Sequence, residues 1–400
     1  MVPAAQILQA MKGMKTLRSG RNRRKWIYVL LLMGLLGLSG CGSPSSASVE
    51  MSSQTELVKT GSMELQYAEN FAVDYYEDGY KMLTTLPDSK RYLIVPEGQP
   101  VPRGLDEDVS ILQEPLQNIY LVASGVMDMF ASVDAVDQIR FSGQKQENWY
   151  IQTAKDAMAA GDMIYAGKYS KPDYELLVSE GCDLAIENRM ITHSPEVVEM
   201  LQSFDIPVMI EYSSYEQHPL GKVEWVKFFG ALTGKEAEAE EAFAEQTEIL
   251  EEVESGEKTG KTIAFFYVTS NGLIQVRQST DYIPKLIELA GGRYIFEDLE
   301  DSGSGRSTLN MQVEDFYAGA KDADILIYNS SIDGGVTTLD ELIGKCNILK
   351  DFKAVQEGQV YCTTNDMYQQ SMAIGYLLQD MHTVLRDDDT AKLRYLFLLQ

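Results

Sequence analysis

The chain has 400 residues, of which 44% are hydrophobic and 24% are charged. This apolar content excludes a wholly disordered chain, and the length suggests two domains or one bilobed domain. The 34 basic and 60 acidic side chains give a formal net charge of −26. Because so acidic a chain repels phosphate backbones, we expect no nucleic-acid partner.

The first 41 residues have the pattern of an export signal. A basic cluster, Arg21–Lys25, precedes the apolar run Trp26–Leu38, which is shorter than the ~20 residues of a bilayer-spanning helix. The quartet Leu38–Cys41 resembles the lipobox of bacterial lipoproteins, which implies cleavage before Cys41 and a diacylglycerol on its sulfur. An ordinary signal peptide is the alternative. The Ser-rich residues 42–62 are predicted to be a flexible tether, so we expect a lipid-anchored protein on the extracytoplasmic face of the cell membrane.

Three cysteines follow Cys41, namely Cys182, Cys346 and Cys362. Their number and spacing exclude a disulfide framework and a Cys-x-x-Cys pair. The apolar, strand-like surroundings of Cys182 and Cys362 predict buried thiols. A single bridge between Cys346 and Cys362 is the alternative.

Alternating apolar residues predict strands after the tether. Phe71 and Val73 alternate with polar residues, and Asp78-Gly79 then gives the turn signal of a hairpin. Met63–Val95 is therefore predicted to be an antiparallel β-meander.

From residue 118 onward the pattern changes to that of an α/β domain with a mainly parallel sheet, because short apolar runs alternate with amphipathic stretches. The predicted strands are Ile119–Ala123, Leu184–Ile186, Val208–Ile210, Thr262–Val268, Asp324–Tyr328 and Gln359–Thr363, and the predicted helices include Pro195–Phe204, Ser279–Ala290 and Met367–Leu385.

One longer helix, Thr233–Glu254, interrupts this rhythm, with apolar residues on one face and acidic residues on most other positions. Thr233 and Glu236 fit a capping box at its start. The predicted fold class is α/β, with two three-layer α/β lobes joined by one long helix and preceded by the β-meander. The predicted boundaries are 63–233 for the N-terminal lobe, 234–257 for the connecting helix and 258–400 for the C-terminal lobe.

The two predicted lobes contain similar segments. Glu175 opens a helical stretch that ends at Asp183, directly before an apolar strand. Glu314 opens a second stretch that ends at Asp324, again before an apolar strand. The similarity favours an internal duplication, although acidic helix starts are common and chance is the alternative.

Motifs of catalysis and of metal binding do not occur. The sequence has no nucleophile elbow, no phosphate-binding loop and no pair of closely spaced histidines among His193, His218 and His382. We therefore expect no enzyme activity and no cofactor. A metal site that combines His193, His218 and carboxylates is the alternative.

Aromatic and sulfur-containing side chains instead follow three of the predicted strands. Ligands of α/β sheets bind beyond the carboxyl ends of strands, and such side chains suit a bulky organic ligand. Packing in the cores of the lobes is the alternative for each of them. The candidate ligand contacts in these clusters are Trp149, Tyr150, Met190, His193, Asp366, Met367 and Tyr368.

Several segments resemble the helix-linked substrate-binding lipoproteins of ABC importers, the class that captures ferric siderophores, haem and cobalamin. The resemblance covers most of residues 118–398, and the β-meander lies outside it. The segments that carry it are Tyr165–Tyr169, Pro172–Glu175, Ser213–Glu216, His218–Gly221, Glu224–Lys227, Ala290–Gly292 and Tyr294–Phe296.

The resemblance implies a monomer that captures an iron-siderophore, haem or cobalamin-like ligand between its lobes. It would deliver the ligand to an ABC permease dimer with a cytoplasmic ATPase. Glu175 and Glu314 match the acidic residues that dock on permease arginines, and Asp366–Tyr368 match a ligand-contact segment. Tyr215 lies in a matching segment and Arg277 near one, and both join the candidate ligand contacts. Two rival hypotheses are an exported lipoprotein hydrolase of cell-wall or glycan material and a sensory or assembly lipoprotein.

An anionic siderophore would require a cluster of arginines. The candidates near suitable segments are Arg140, Arg189, Arg277 and Arg306, and the sequence does not show that they converge.

Overall fold

The computed structural model describes residues 57–254, 256, 258–299, 307–330, 335–388 and 392–400. The predicted signal peptide, Cys41, the start of the tether and Arg306 lie outside the described residues. No helix of the described ranges combines the length and the apolar character needed to cross a membrane.

The N-terminal sheet has five strands, of which the first four are antiparallel as the meander prediction requires. The sequence predicts a tether up to residue 62, but residues 59–62 form a strand because their backbone pairs with the next strand. The prediction also lacks the fifth strand, which lies parallel to the fourth. The strands are β1 (Lys59–Ser62), β2 (Phe71–Tyr76), β3 (Lys81–Thr85), β4 (Lys90–Val95) and β5 (Val109–Gln113).

The second sheet is wholly parallel, in the order β12-β11-β6-β7-β8. Both of its faces are buried, because Leu184 and Ile186 of β11 join one hydrophobic cluster and Ala185 joins another. The elements are β6 (Ile119–Leu121), α1 (Val126–Ser132), β7 (Ile139–Ser142), α2 (Gln152–Ala160), β8 (Ile164–Tyr165), the small hairpin β9 (Gly167–Lys168) and β10 (Lys171–Pro172), α3 (Tyr174–Glu180), β11 (Leu184–Asn188), α4 (Pro195–Ser203) and β12 (Val208–Glu211).

Two helices follow β12, α5 (Pro219–Thr233) and α6 (Glu236–Glu254), where the sequence predicts one. The predicted capping box is wrong, because the Thr233 hydroxyl donates to the Phe229 carbonyl inside α5. Gly234, with φ of 72°, ends α5 in the left-handed conformation. The acidic helix α6 buries the face predicted from the sequence, including Phe243 and Leu250.

Two buried glutamates of this region attach the N-terminal sheet to the rest of the molecule. The Glu224 carboxylate, on α5, accepts the backbone N–H groups of residues 66–68 at 2.8–2.9 Å. The Glu216 carboxylate accepts those of residues 69 and 70, and also the indole N–H of Trp225. These hydrogen bonds fix the loop between β1 and β2 against α5, so the N-terminal sheet packs as part of the first half of the molecule.

The third sheet is mixed, in the order β16-β14-β13-β17-β18-β19, with β15 beside the start of β13. Successive residues of β13 again face two hydrophobic clusters, which gives the second half three layers. The elements are β13 (Thr262–Val268), β14 (Ile274–Arg277), α7 (Tyr282–Leu289), β15 (Arg293–Tyr294), β16 (Thr308–Met311), α8 (Val313–Ala320), β17 (Ile325–Tyr328), α9 (Leu339–Lys345), α10 (Lys353–Gln356), β18 (Val360–Thr363), α11 (Ile374–Leu385) and β19 (Leu396–Leu398).

Two details of this half differ from the sequence predictions. The helix predicted from Met367 begins only at Ile374, because residues 364–373 form turns and a short 3-10 helix. Cys346 and Cys362 are buried, whereas Cys182, which the sequence predicts to be buried, is partly exposed, and the described residues contain no disulfide. Because the second and third sheets each pack between two hydrophobic clusters, the α/β fold class with two three-layer lobes is confirmed. The lobe boundaries stay predictions.

Candidate functional site

A cavity of about 290 Å³ lies between the second sheet and the third sheet. Most of its lining lies at or after the carboxyl ends of β6, β11, β12, β14 and β18, and Lys222 comes from α5. Among these strand ends, the sequence predicts ligand contacts after β11 and β18. The lining residues are Ala123, Ser124, Gly125, Asn188, Arg189, Met190, Glu211, Ser213, Ser214, Tyr215, Lys222, Arg277, Tyr282, Ser307, Met367, Tyr368 and Ser371.

Three cationic side chains converge on this cavity. The Arg189 guanidinium lies over the Tyr215 ring, 4.5 Å from its centroid. The Lys222 ammonium lies 4.7 Å from the centroid of the Tyr282 ring. Arg277 pairs with the buried carboxylate of Asp281 at 3.3 Å. The lining thus contains the cationic cluster that an anionic ligand needs.

The other two arginine candidates do not contribute to it. Arg140 lies elsewhere, donating to the carbonyls of Gly161 and Asp162 at 2.7 Å each. Arg306 lies outside the described residues.

Burial lowers the pKa of Arg277, but the facing carboxylate of Asp281 outweighs burial and holds that pKa above its ordinary value.

The cavity also contains a buried acid, Glu211, at the end of β12. Its carboxylate accepts the backbone N–H of Ser213 at 2.9 Å and the Ser213 hydroxyl at 2.5 Å. Burial raises the pKa of Glu211, and these two hydrogen bonds oppose the shift. Glu211 is the single acid among the described residues of the lining.

The rim of the cavity is aromatic and apolar. Met190 is 50% exposed, Tyr215 is 37% exposed and Tyr368 is 36% exposed, although each lines the cavity. Tyr150 stands beside them, with its ring in edge-to-face contact with Tyr368 at 6.4 Å. Large side chains left open at a cavity mouth are available to a ligand or partner.

Four predicted contact residues lie outside the lining, and one of them is Tyr150, which stands beside it. Trp149 is only 1% exposed and its indole N–H donates to the Ser142 hydroxyl, so its side chain belongs to the core. His193 is exposed at the end of a 3-10 helix. The Asp366 carboxylate accepts the side-chain amide of Gln370 at 2.6 Å. Strand-end position alone did not distinguish these residues from those that line the cavity.

Hydrogen bonds join the two halves of the molecule beside the cavity. The buried Gln369 side chain accepts the backbone N–H of Tyr150 at 2.7 Å and donates to the Asn148 carbonyl at 2.8 Å. The Asp128 carboxylate accepts the backbone N–H of Met372 at 2.7 Å. Burial raises the pKa of Asp128 to about 6. These contacts hold the segment after β18 against the first half.

Most of the other lining residues were not predicted from the sequence, among them Glu211, Lys222, Tyr282 and Ser371. A signal for one of them exists, since Lys222 and Lys227 stand within the apolar stretch that becomes α5. Charged residues in a helix that is otherwise apolar indicate buried charges with specific partners.

The predicted docking residues occupy equivalent places in the two halves. Glu175 is exposed in the first turn of α3, and Glu314 is exposed in the first turn of α8. The alternative metal site has no support in the described ranges, which contain no group of three or more His, Cys, Asp or Glu side chains able to hold a metal. His218 instead caps α5, accepting the Leu220 N–H.

The chain is similar over most of its length to proteins of Methanocaldococcus jannaschii. The "Uncharacterized lipoprotein MJ0878" is 24% identical, over 90% of this chain and 92% of that protein. The "Uncharacterized lipoprotein MJ0872" is 23% identical, over 86% of this chain and 90% of that protein.

Solved structures are similar in fold. A periplasmic haem-binding protein from Pseudomonas aeruginosa superposes with a TM-score of 0.55 at 13% identity, covering 71% of this chain and 98% of that one. An ABC-type Fe³⁺-hydroxamate transport protein from Saccharomonospora viridis gives a TM-score of 0.53 at 16% identity, covering 68% and 93%.

The family model described as "Periplasmic binding protein" matches residues 122–367, which is more than half of the chain. The match includes every described residue of the cavity lining except Tyr368 and Ser371. The family expected from the sequence is therefore confirmed, and with it the general role of solute binding for an ABC importer. This chain belongs to the periplasmic binding protein family.

Proposed function

We propose that the protein is an extracytoplasmic lipoprotein that captures an iron chelate or tetrapyrrole-type ligand in this cavity and delivers it to an ABC permease. The observation that carries the proposal is the cavity itself, which both halves of the molecule line at the carboxyl ends of their strands. A ligand held there contacts both lobes at once.

The side chains of the cavity support this class of ligand. Tyr215 and Tyr368 offer ring faces and edges to a flat or bulky organic molecule, and Met190 offers a flexible apolar contact. The converging cations offer charge-assisted hydrogen bonds to chelate oxygens. Two proteins of similar fold are named for haem and for an Fe³⁺-hydroxamate, which favours the same class of ligand.

A lipid anchor on Cys41 is the second part of the proposal. The Leu38–Cys41 quartet supports it, and two relatives carry the name lipoprotein. The anchor would keep the binding protein near the extracytoplasmic mouth of its permease.

Docking on the permease is the third part. We assign it to Glu175 and Glu314, because each is exposed in the first turn of the helix that precedes an equivalent strand in its half. Two negative side chains, one on each half, suit a permease dimer that presents two basic sites.

The rival hypothesis of an exported hydrolase has less support. A glycosidase needs two facing carboxyl groups, whereas Glu211 is the single acid of the described lining and is already bonded to Ser213.

Native mass spectrometry of the detergent-solubilised protein tests the binding function, using pooled haemin, cobalamins and ferric siderophores. We expect a one-to-one adduct that survives desalting. Arg189→Ala should weaken the adduct, whereas the matched variant Arg140→Ala, which lies away from the cavity, should leave it unchanged. No adduct from any pool would contradict the proposed ligand class.

A further inference from the structure

Lys222 is a buried ammonium group that faces the cavity. It lies in the first turns of α5, is 7% exposed and lines the cavity with its Nζ over the Tyr282 ring. Among the described residues, no carboxylate oxygen lies within ion-pair distance of this Nζ. A buried charge is costly unless a counter-charge or hydrogen-bond acceptors compensate it.

Three acids surround Lys222, and each is engaged by another group. Glu211 accepts two hydrogen bonds from Ser213. Asp128 accepts the Met372 N–H. Asp281 pairs with Arg277 and accepts the Ile283 N–H. All three are near enough to act electrostatically on Lys222, but none forms an ion pair with it.

The same helix offers a contrasting lysine. Lys227 is as buried as Lys222, at 5% exposure, but its Nζ lies 2.9 Å from Glu240 and 3.6 Å from Glu224. One helix thus contains a buried lysine with two carboxylate partners and a buried lysine whose ammonium group is directed at a cavity. The difference indicates that the partner of Lys222 arrives with the ligand.

We propose that Lys222 binds an anionic carboxylate group of the ligand, with Arg277 as the neighbouring cation. The inference rests on the proposed function in taking this cavity as the ligand site, and it deepens that function by naming the charge of the substrate. Lys222 is then the residue that selects anionic chelates over neutral ones of similar size.

A carboxylate can come from two sources, the propionate groups of a haem-type tetrapyrrole or the carboxylates of an iron chelate such as ferric citrate. Two pairs of probes separate them. Haemin is compared with haemin dimethyl ester, in which the propionates are neutral. Ferric citrate is compared with ferrichrome, a neutral hydroxamate chelate.

The first experiment uses iron-free citrate and the full, detergent-solubilised protein, with the rise in melting temperature measured at constant ionic strength. We expect citrate to stabilise the wild type and Lys227→Met but not Lys222→Met, with Lys222→Arg restoring part of the effect. Each variant serves as its own reference without citrate, so a change in intrinsic stability does not affect the comparison. Equal stabilisation of Lys222→Met would overturn the assignment.

The second experiment measures affinity for the two pairs by quenching of tryptophan fluorescence. We expect the anionic member of one pair to bind the wild type, and Lys222→Met to weaken it by about 10- to 100-fold, as for a lost charge-assisted hydrogen bond. Equal wild-type affinity for the charged and neutral members would overturn the proposal. Citrate stabilisation without binding of any chelate would keep the anion site and contradict the proposed function.

Discussion

Two strands of the molecule repeat one design, β11 in the first half and β17 in the second. Each strand follows an aspartate whose carboxylate accepts a backbone N–H at the start of the neighbouring parallel strand. For β11 the donor is the residue directly before β6, and for β17 it is the first residue of β13. Asp183 accepts from Asn118 at 2.9 Å, and Asp324 accepts from Thr262 at 2.7 Å. The two segments are Asp183-Leu184-Ala185-Ile186-Glu187-Asn188 and Asp324-Ile325-Leu326-Ile327-Tyr328-Asn329.

The two segments differ most in character at their fifth residue, which is Glu187 in the first and Tyr328 in the second. Tyr328 is buried among rings, with its own ring 5.6 Å from that of Phe266. Glu187 is also fully buried, but neither of its carboxyl oxygens has a hydrogen-bond partner among the described residues. The comparison teaches that the shared pattern determines where the strand starts and which way it faces, while an interior position can hold an aromatic ring or a buried acid.

The largest expected effect is on transport, and it comes from the glutamates of α3 and α8, the helices that precede the two segments. Replacing both Glu175 and Glu314 with alanine should reduce uptake of the iron chelate into cells by about tenfold or more, because both docking charges are lost. Ligand affinity measured on the purified variant should not change, since neither residue lines the cavity.

A matched double variant, Glu199→Ala with Glu357→Ala, also removes one exposed acid from each half. It should transport normally. Unchanged uptake in the Glu175 and Glu314 variant, or equal loss in the control, would contradict the docking assignment.

The second prediction concerns the buried acid at the fifth position, Glu187, and removes its ionisable group. Burial raises the pKa of Glu187 to about 8, so its folded-state pKa lies above the unfolded value. Its contribution to stability is therefore fully present below the unfolded pKa and is lost as the pH rises through about 8. Glu187→Gln should raise the free energy of unfolding at pH 9 by about 2–4 kcal/mol, with little change at pH 4.

Urea unfolding at both pH values measures this effect. The control Glu199→Gln changes an exposed acid of α4 and should show no difference between the two pH values. Loss of stability at pH 9 in Glu187→Gln would mean that the carboxylate has a partner and that the two strands differ less than the structure indicates.

The sequence was most informative where periodicity determines structure. Thr262–Val268 was predicted with the bounds that the structure has, because every residue of that strand is apolar or β-branched. Helix α5 was not predicted, and the start of α6 was predicted at Thr233 instead of Glu236, because Thr233 and Glu236 fit a capping box that does not form. Local signals at helix ends compete, and tertiary contacts decide between them.

The candidate site was only partly predictable for a related reason. Strand-end reasoning correctly selected Met190, Met367 and Tyr368, which line the cavity, but it also selected Trp149, which packs in the core. Lys222 was missed because it reaches the cavity from a helix, and no strand-end rule includes it. Which neighbours a side chain meets depends on how the two halves pack, and a pattern along the chain does not contain that information.

The smallest expected effect is a difference in stability between variants of the two aspartates that begin the shared segments. Asp183 accepts two backbone N–H groups, those of Gln117 and Asn118. Asp324 accepts the backbone N–H and the hydroxyl of the buried Thr262, and it pairs with Lys353 at 2.6 Å. Asp324→Ala should therefore cost about 2 kcal/mol of unfolding free energy and Asp183→Ala about 1 kcal/mol, because the former leaves the hydroxyl proton of the buried Thr262 without an acceptor.

The exposed pair with Lys353 adds little to this difference. Burial raises the pKa of Asp324, but its bonds to Lys353 and Thr262 outweigh burial and hold that pKa below its ordinary value. The stability it contributes is therefore present above the unfolded pKa and is lost as the pH falls through the lower folded value. Urea unfolding at pH 7 and pH 3 should show the cost of Asp324→Ala shrinking at the lower pH. Asp324→Asn, which keeps an acceptor oxygen for Thr262, should restore most of the stability at pH 7, and equal costs for both alanine variants would mean that the two strand starts are held equally well.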